Sequence, residues 1–543
     1  MTRPEDAYDR MRRTAAHTMF RRSRDLLLDL RTDLDAARAA FTWPRPETFN
    51  WALEWFDVVA AGNPRPALEL VQPGGGTTTV TYQELSARSD QLANWLAGQG
   101  IGRGERVMIA LGQQTELWET LLACLKTGAV VIPVYTSLTR AEAEDRTGRG
   151  RVRHVICRSD LTDLFAGLPL ATRTAVGAPV PGWADYTASY TAEERFVPSV
   201  PTPATDVAFA YFTSGTTSAP KLVTHTHSSY PIGHLSSMYF NGLQPGDRHL
   251  NVSAPGWAKH SWSSFFVPFT AEATLVVLPD EGVGPGDLPG LLAARDVTSL
   301  CAPPSLWSRL ARHLDAAAPR LREATSAGEP LPAEIADAVE RAWGVPVRDG
   351  YGQTETTALI GTTPGMPRRP GWLGRPLPGW DVRTDDGLVC VDLSADPVGM
   401  MAGYDPVATP SAPPVGTGTY LTGDVGETGP DGCIRILGRS DDVFKSGGHR
   451  VSPYELEAVL RSHPAVREAA VVPAAHPTLG RAAHAVVELT AERATTADEL
   501  LAHVDARVTR ALRVHSIAFT DRLPRTASGK VRRAALSTAP ARS

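Results

Sequence analysis

Apolar positions along the chain follow two rhythms, and the switches between them mark out its parts. Residues 8–40 carry scattered charge with helical spacing. The stretch WPRPETFNWALEWFDVVAAG at 43–62 then concentrates aromatic residues, which predicts that the N-terminal segment is pinned onto a larger body. An apolar strand is predicted at 105–111, a helix from the spacing of Leu117, Leu121 and Leu125, and a buried strand at 129–134. That order is βαβ-like, and further strands at 154–157, 207–212, 274–278 and 298–302 extend it into a layered α/β body.

Residues 394–420 are dense in Pro, Gly, Thr and Ala and read as a turn-rich connection. Beyond GRSDD at 438–442 the pattern becomes that of a compact second unit. A helix near 454–463 precedes strands at 466–472 and 483–489 and a helix over 497–512, where Leu500, Val504, Val508 and Leu512 form one apolar stripe. This predicts a separate C-terminal domain of about a hundred residues, an ordinary domain size. No repeat of solenoid period is evident. The length of 543 residues, more than one hydrophobic core supports, agrees with two units.

Charge narrows the classes of partner. The 54 basic residues against 59 acidic ones leave a net charge of −5, which is no footprint for a nucleic-acid backbone. The five cysteines are far apart with no C-x-x-C pair, so they read as reduced thiols rather than a zinc site or disulfide framework. No apolar run in the first forty residues resembles a signal peptide, and runs such as 129–134 are too short to cross a bilayer, so a cytoplasmic protein is expected.

Five polar patterns carry candidate chemistry. YFTSGTTSAPK at 211–221 follows an apolar strand: Gly215 permits close backbone approach, Ser214, Thr216 and Thr217 donate hydrogen bonds, and Lys221 supplies charge, as a phosphate-binding loop requires. Its spacing is not that of the G-x-x-x-x-G-K-[ST] loop. DGYGQTET at 349–356 offers Tyr351 to a purine, Thr354 to a phosphate and Glu355 as an oxygen ligand for magnesium. In YLTGDVG at 420–426, Asp424 is placed to accept from two ribose hydroxyls. GRSDDVFKSGGHR at 438–450 has the composition of a hinge, and LPRTASGKVRR at 523–533 ends a small-residue turn in Lys530. Each alone could be an ordinary solvated turn; their common order and separation could not readily be.

Together these patterns resemble the adenylate-forming superfamily of acyl-CoA and aryl-CoA synthetases, luciferases and peptide-synthetase adenylation domains. The resemblance runs from TYQEL at 81–85 to Lys530, and SAGEPL at 326–331 and GRPLPGW at 374–380 also match. It implies an N-terminal adenylation domain over 1–438, built of βαβ-type sheets and a β-barrel-like subdomain. A mobile α+β domain over 439–543 follows, with the hinge at Asp441. By the same resemblance, Thr213, Ser214, Gly215, Thr216, Thr217 and Lys221 bind ATP phosphates, while Ala327, Gly328, Glu329, Asp349, Gly350 and Tyr351 enclose the adenine. Thr354 and Glu355 act at the reacting phosphate and its metal, Asp424 holds the ribose, Arg439 precedes the hinge, and Lys530 is the catalytic lysine.

A positioned cation such as Lys530 offsets the charge that builds up when a carboxylate attacks the α-phosphorus. Gly447, Gly448, His449 and Arg450 match the loop that helps form the pantetheine tunnel of coenzyme A ligases. Trp257, His260, Trp262 and Phe265, within GWAKHSWSSFFVPF at 256–269, fall near the acid pocket of medium-chain and aryl synthetases. His225 and His227 are less informative: a lone histidine is usually structural, and no base is required because a carboxylate is already nucleophilic at neutral pH. Two departures stand out, Ser218 and Ala219 in the phosphate loop and a shortened RVHSIAF stretch before the strand containing Ile517.

The expectation is an ATP- and magnesium-dependent ligase joining an aromatic or medium-chain acid to coenzyme A. The alternatives are delivery to a carrier-protein thiol or an amine, and nitrite activation for diazotisation of an aryl amine. From another class comes a non-catalytic nucleotide-binding protein that has kept the fold.

Overall fold

The computed structural model describes residues 12–213, 220–280, 283–314, 320–410, 416, 418–447, 449–490, 494–509, 513–525 and 531–536. Two large sheets form the body. The first runs in the order Gly403–Tyr404, Leu222–Thr226, Val207–Phe212, Val130–Pro133, Arg106–Ala110, His154–Arg158, Thr172–Val176 and Ala184–Asp185. Its centre is parallel, with Arg106–Ala110 between Val130–Pro133 and His154–Arg158, as the βαβ reading requires. Helix Thr115–Thr127 crosses between two of these strands and buries Leu117, Leu121 and Leu125.

The second sheet has nine strands. It places Arg248–Asn251, Ser299–Ala302, Glu323–Ala327 and Val347–Gln353 side by side in parallel, followed by antiparallel Thr357–Gly361. Helix Ser229–Asn241, buried along its whole length, lies against these strands. The N-terminal helices Ala15–Asp29 and Leu34–Ala40 dock through the aromatic segment: Phe20 lies 5.5 Å from Phe49 and 5.1 Å from Trp55, and Trp51 lies 5.4 Å from Phe265. Tilted and edge-on rings of this kind fix orientation as well as burying area.

The expected barrel-like subdomain is a four-stranded antiparallel sheet, Val382–Asp385, Leu388–Asp392, Thr419–Thr428 and Ile434–Arg439. Residues 394–420, expected to hold only turns, contribute Gly403–Tyr404, which pairs with Leu222–Thr226 at the edge of the first sheet.

After Arg439 a hairpin, Phe444–Ser446 with His449–Val451, leads into helix Pro453–Arg461 and a three-stranded sheet of Val466–His476, Gly480–Leu489 and Val514–Thr520. The first two strands are longer than their apolar cores because they continue to the turn that pairs His476 with Gly480. The helix predicted over 497–512 is shorter than its stripe: Ala497–Asp505 buries Leu500 and Val504 against Leu456, Leu460, Val471 and Val487, and Leu512 lies outside the described residues. Thr496 and Glu499 form its capping box.

Candidate functional site

Three chain segments meet where the parallel strands of the second sheet end, beside the four-stranded sheet. Strand Val347–Gln353 delivers Asp349, Gly350 and Tyr351, and the turn that follows delivers Thr354 and Glu355. A Cβ on Gly350 would lie 2.4 Å from the Phe240 ring, so this strand can approach helix Ser229–Asn241 only without a side chain there. Thr357 closes the turn with φ +75°, a region that β-branched residues rarely enter. It is held there by its hydroxyl, which donates to the Gly233 carbonyl at 3.1 Å.

Asp424 is the centre of a polar knot. Its Oδ2 accepts from the Tyr351 hydroxyl at 2.5 Å, from Gln353 Nε2 at 2.8 Å and from Arg439 Nη1 at 3.2 Å. Asp424 and Arg439 face each other across paired strands, which sets that contact. Burial first, and then the Asp424 charge, push the Tyr351 phenol well above its ordinary value, so it remains a donor. With Oδ2 committed three times, Oδ1 is the acceptor left open among the described residues. Gln353 ties the knot further, donating to the Thr422 carbonyl at 2.8 Å and accepting from the Tyr420 hydroxyl at 3.0 Å.

Glu355 has separate anchors. Tyr404 donates its hydroxyl to Glu355 Oε1 at 3.0 Å, and Met401 N–H donates to the Glu355 carbonyl at 2.8 Å. The Lys221 ammonium lies 4.9 Å over the Tyr404 ring, so the lysine that closes the phosphate-loop pattern and the carboxylate share one aromatic neighbour. Thr213 N–H donates to the Lys221 carbonyl at 2.8 Å, which pinches the two ends of the loop together. Ser214, Gly215, Thr216 and Thr217 lie outside the described residues, as does Lys530. Among the described residues no cluster of three acidic, histidine or cysteine side chains could hold a metal by itself. A single carboxylate beside a polyphosphate is the usual arrangement for magnesium, and half-buried Glu355 fits it.

On the other side of Tyr351, the Asp349 carboxylate accepts from Leu331 N–H at 3.2 Å and Gly350 N–H at 3.0 Å. Burial pushes its pKa up to about 7 despite these donors and the nearby Lys259 charge. Lys259 is buried and donates to the Ala327 carbonyl at 3.1 Å, at the turn expected to enclose adenine. Gly328, with φ +109°, lets the Trp257 ring pack there, 3.3 Å from where a Cβ would stand. Trp257 and Trp262 are half-buried, and Trp262 lies 6.2 Å from Phe240. His260 is buried with Nε2 3.2 Å from Gln113 Oε1, and burial holds it neutral, down to about 3. Phe265 packs at 4.9 Å on Phe266 and 5.9 Å on Phe269, among the rings that anchor the N-terminal segment.

Past the four-stranded sheet, Asp441 is exposed, while Asp442 pairs with Arg533 at 3.3 Å. Gly447 takes φ +53° beside Leu479, and His449 is exposed at the hairpin. Gly448 and the side chain of Arg450 lie outside the described residues. Sequence reasoning did not single out Gln353, Tyr404 or Lys259. Gln353 sits inside a motif already noticed, whereas Tyr404 lies in a segment whose composition reads only as turns.

Comparison with known proteins matches this geometry to one family. Residues 56–392 match the model of the AMP-binding enzyme, and residues 455–530 match that of the AMP-binding enzyme C-terminal domain. The 4-hydroxybutyrate–CoA ligase 1 of Metallosphaera sedula is 33% identical, over 90% of each chain. Human mitochondrial acyl-coenzyme A synthetase ACSM3 is 29% identical, over 90% of this chain and 89% of its own. The crystal structure of the anthranilate CoA ligase AuaEII in complex with anthranoyl-AMP superposes with a TM-score of 0.80 at 25% identity, covering 91% of this chain and 97% of that one. The fold, the two matched segments and the full-length relatives establish that this chain belongs to the AMP-binding enzyme family, the adenylate-forming superfamily.

Proposed function

We propose that this protein is an AMP-forming acid–coenzyme A ligase that activates a small aromatic or medium-chain carboxylic acid as its acyl-adenylate. The observation that carries this reading is the convergence of the Asp424 knot with the Glu355–Tyr404–Lys221 group at one edge of the body. The ligase class is that of the full-length relatives, which are named for coenzyme A ligation of 4-hydroxybutyrate and of acyl groups. The anthranoyl-AMP held by the superposing ligase supports an aromatic acid.

In this reading Asp424 accepts the ribose hydroxyls through Oδ1, and the adenine lies between Tyr351 and the turn Ala327–Glu329, with Asp349 facing its amino group. Lys221 and the 213–217 loop hold the phosphates, and Thr354 orients the α-phosphate. Glu355 would hold magnesium, which supplies charge neutralisation on the phosphate oxygens. Lys530 neutralises charge on the α-phosphate as the substrate carboxylate attacks and pyrophosphate departs. Rotation about Asp441 then withdraws Lys530 and turns residues 447–450 toward the adenylate to admit the coenzyme A thiol. Trp257, His260, Trp262 and Phe265 are proposed to line or back the acid pocket, whose apolar and aromatic character suits such acids.

A pyrophosphate-release screen over aryl, fatty and hydroxy acids, run with and without coenzyme A, tests the proposal. Acid-dependent release with formation of the acyl-CoA is expected. Release without any thioester would contradict the acceptor, and no release with any acid would contradict the activity.

A further inference from the structure

His225 sits on strand Leu222–Thr226, four residues after Lys221, and is completely buried. Its Nε2 lies 2.7 Å from the carbonyl oxygen of Thr354, and its Nδ1 lies 3.1 Å from Ser229 Oγ. These contacts admit one tautomer. A carbonyl only accepts, so Nε2 carries the proton, and Nδ1 is left as an acceptor that the Ser229 hydroxyl must serve. Ser229 Oγ in turn accepts from Thr226 N–H at 2.9 Å, which leaves its own proton for His225. The ring is fixed in plane by stacking on Tyr230, with centroids 4.3 Å apart. The hydrogen-bond chain therefore runs without a break from the Thr226 backbone to the Thr354 carbonyl.

The Thr354 carbonyl belongs to the peptide joining Thr354 to Glu355. Met401 holds the next peptide, Tyr404 the Glu355 carboxylate, and Thr356 closes the turn on Gln353; His225 is the side chain that holds the Thr354 carbonyl itself. Fully buried, His225 cannot itself reach a substrate proton. Burial also lowers its pKa to about 4, which keeps the neutral ring through the physiological range.

We propose that His225 is a positioning residue for adenylation: as the Nε2–H tautomer it locks the Thr354–Glu355 peptide and so sets where the Thr354 hydroxyl and Glu355 carboxylate meet the triphosphate. This rests on the reading of that turn as the reacting centre.

The test compares His225→Ala, His225→Gln and Ser229→Ala in the full-length protein by acid-dependent pyrophosphate exchange. Misplacement of a catalytic group by about 1 Å costs roughly 100-fold, so His225→Ala is expected to lower kcat by about 30- to 100-fold, with KM for ATP changed less than about threefold. The glutamine amide can still donate to the Thr354 carbonyl, and His225→Gln should recover to within about fivefold of the parent; Ser229→Ala, which frees the tautomer and removes the acceptor of Thr226 N–H but leaves the ring in place, should lose less than His225→Ala. A folded His225→Ala protein with parental kcat, or a glutamine variant no better than alanine, overturns the proposal. The ring is also read without turnover: in 15N-histidine spectra, the signal lost in His225→Gln should show Nε2–H. An Nδ1–H or doubly protonated ring there overturns the positioning chain whatever the protein turns over, and so separates its failure from failure of the ligase reading.

Discussion

Replacing Asp424 by asparagine separates two jobs that one carboxylate performs. Three donors converge on Oδ2, from Tyr351, Gln353 and Arg439. An amide in this position must therefore turn its oxygen toward them and its NH2 toward the place of Oδ1. The internal knot survives with weaker, uncharged hydrogen bonds, while the ribose meets a donor where it needs an acceptor. Hydrogen bonds to a charged group contribute about 1.5–3 kcal/mol each, so losing even one of the two ribose contacts should weaken ATP binding by about 10- to 100-fold. Asp424→Ala loses the same contact and also takes away the acceptor of the Tyr351 hydroxyl, which adds about 1–3 kcal/mol of destabilisation, while Gln353 keeps its bond to the Thr422 carbonyl. Arg439, with a side chain 40% exposed, turns to water and adds little.

Calorimetric titration with ATP, 2′-deoxy-ATP and 3′-deoxy-ATP measures the first effect, and thermal unfolding the second. The parent should discriminate against the deoxynucleotides, and Asp424→Asn should lose most of that discrimination while unfolding at a higher temperature than Asp424→Ala. Unchanged ATP affinity and discrimination in Asp424→Asn would refute the ribose assignment. Equal destabilisation of the two variants would refute the orientation of the knot.

Three further outcomes are expected. Lys126 is buried with its ammonium 2.8 Å from Asp57 and 2.6 Å from Asp90, so Lys126→Met should destabilise by about 3–5 kcal/mol in denaturant unfolding, because it leaves buried carboxylates under-compensated. Asp349, raised by burial to about 7, binds its proton more tightly folded than unfolded. Its contribution to stability is therefore lost as pH rises from about 4 to about 7, whereas the adenine amino group favours the ionised form; KM for ATP should fall as pH rises through 7, and Asp349→Asn should flatten that profile. Lys530→Ala should slow pyrophosphate exchange by about two to three orders of magnitude, the scale for one preorganised electrostatic contact, with ATP binding measured by titration largely retained.

Much of the architecture was legible in the chain because burial on both faces leaves continuous apolar runs. Residues 129–134 and 207–212 are such runs, and each became a strand of the first sheet. Where the reading fell short, tertiary contacts decided the outcome. Gly403–Tyr404 is a strand because Leu222–Thr226 offers it an edge, which local composition cannot announce. The helix beginning at Ala497 ends at Asp505 although its apolar spacing continues, since periodicity marks a face rather than an end. At the site, motif residues such as Tyr351, Glu355 and Asp424 were visible because their chemistry is local. Their supports, Gln353, Tyr404 and His225, were not, because each acts on a residue more than forty positions away or through a contact that exists only after folding.

The most direct test of the whole account uses an acid substrate labelled with 18O in its carboxylate, together with ATP, magnesium and coenzyme A, and mass analysis of the nucleotide released. Attack of the carboxylate on the α-phosphorus, followed by thiol attack on the carbonyl carbon, transfers one labelled oxygen into AMP as pyrophosphate and acyl-CoA appear. AMP carrying a single 18O is the predicted product; unlabelled AMP, or ADP with phosphate, would contradict activation through an acyl-adenylate.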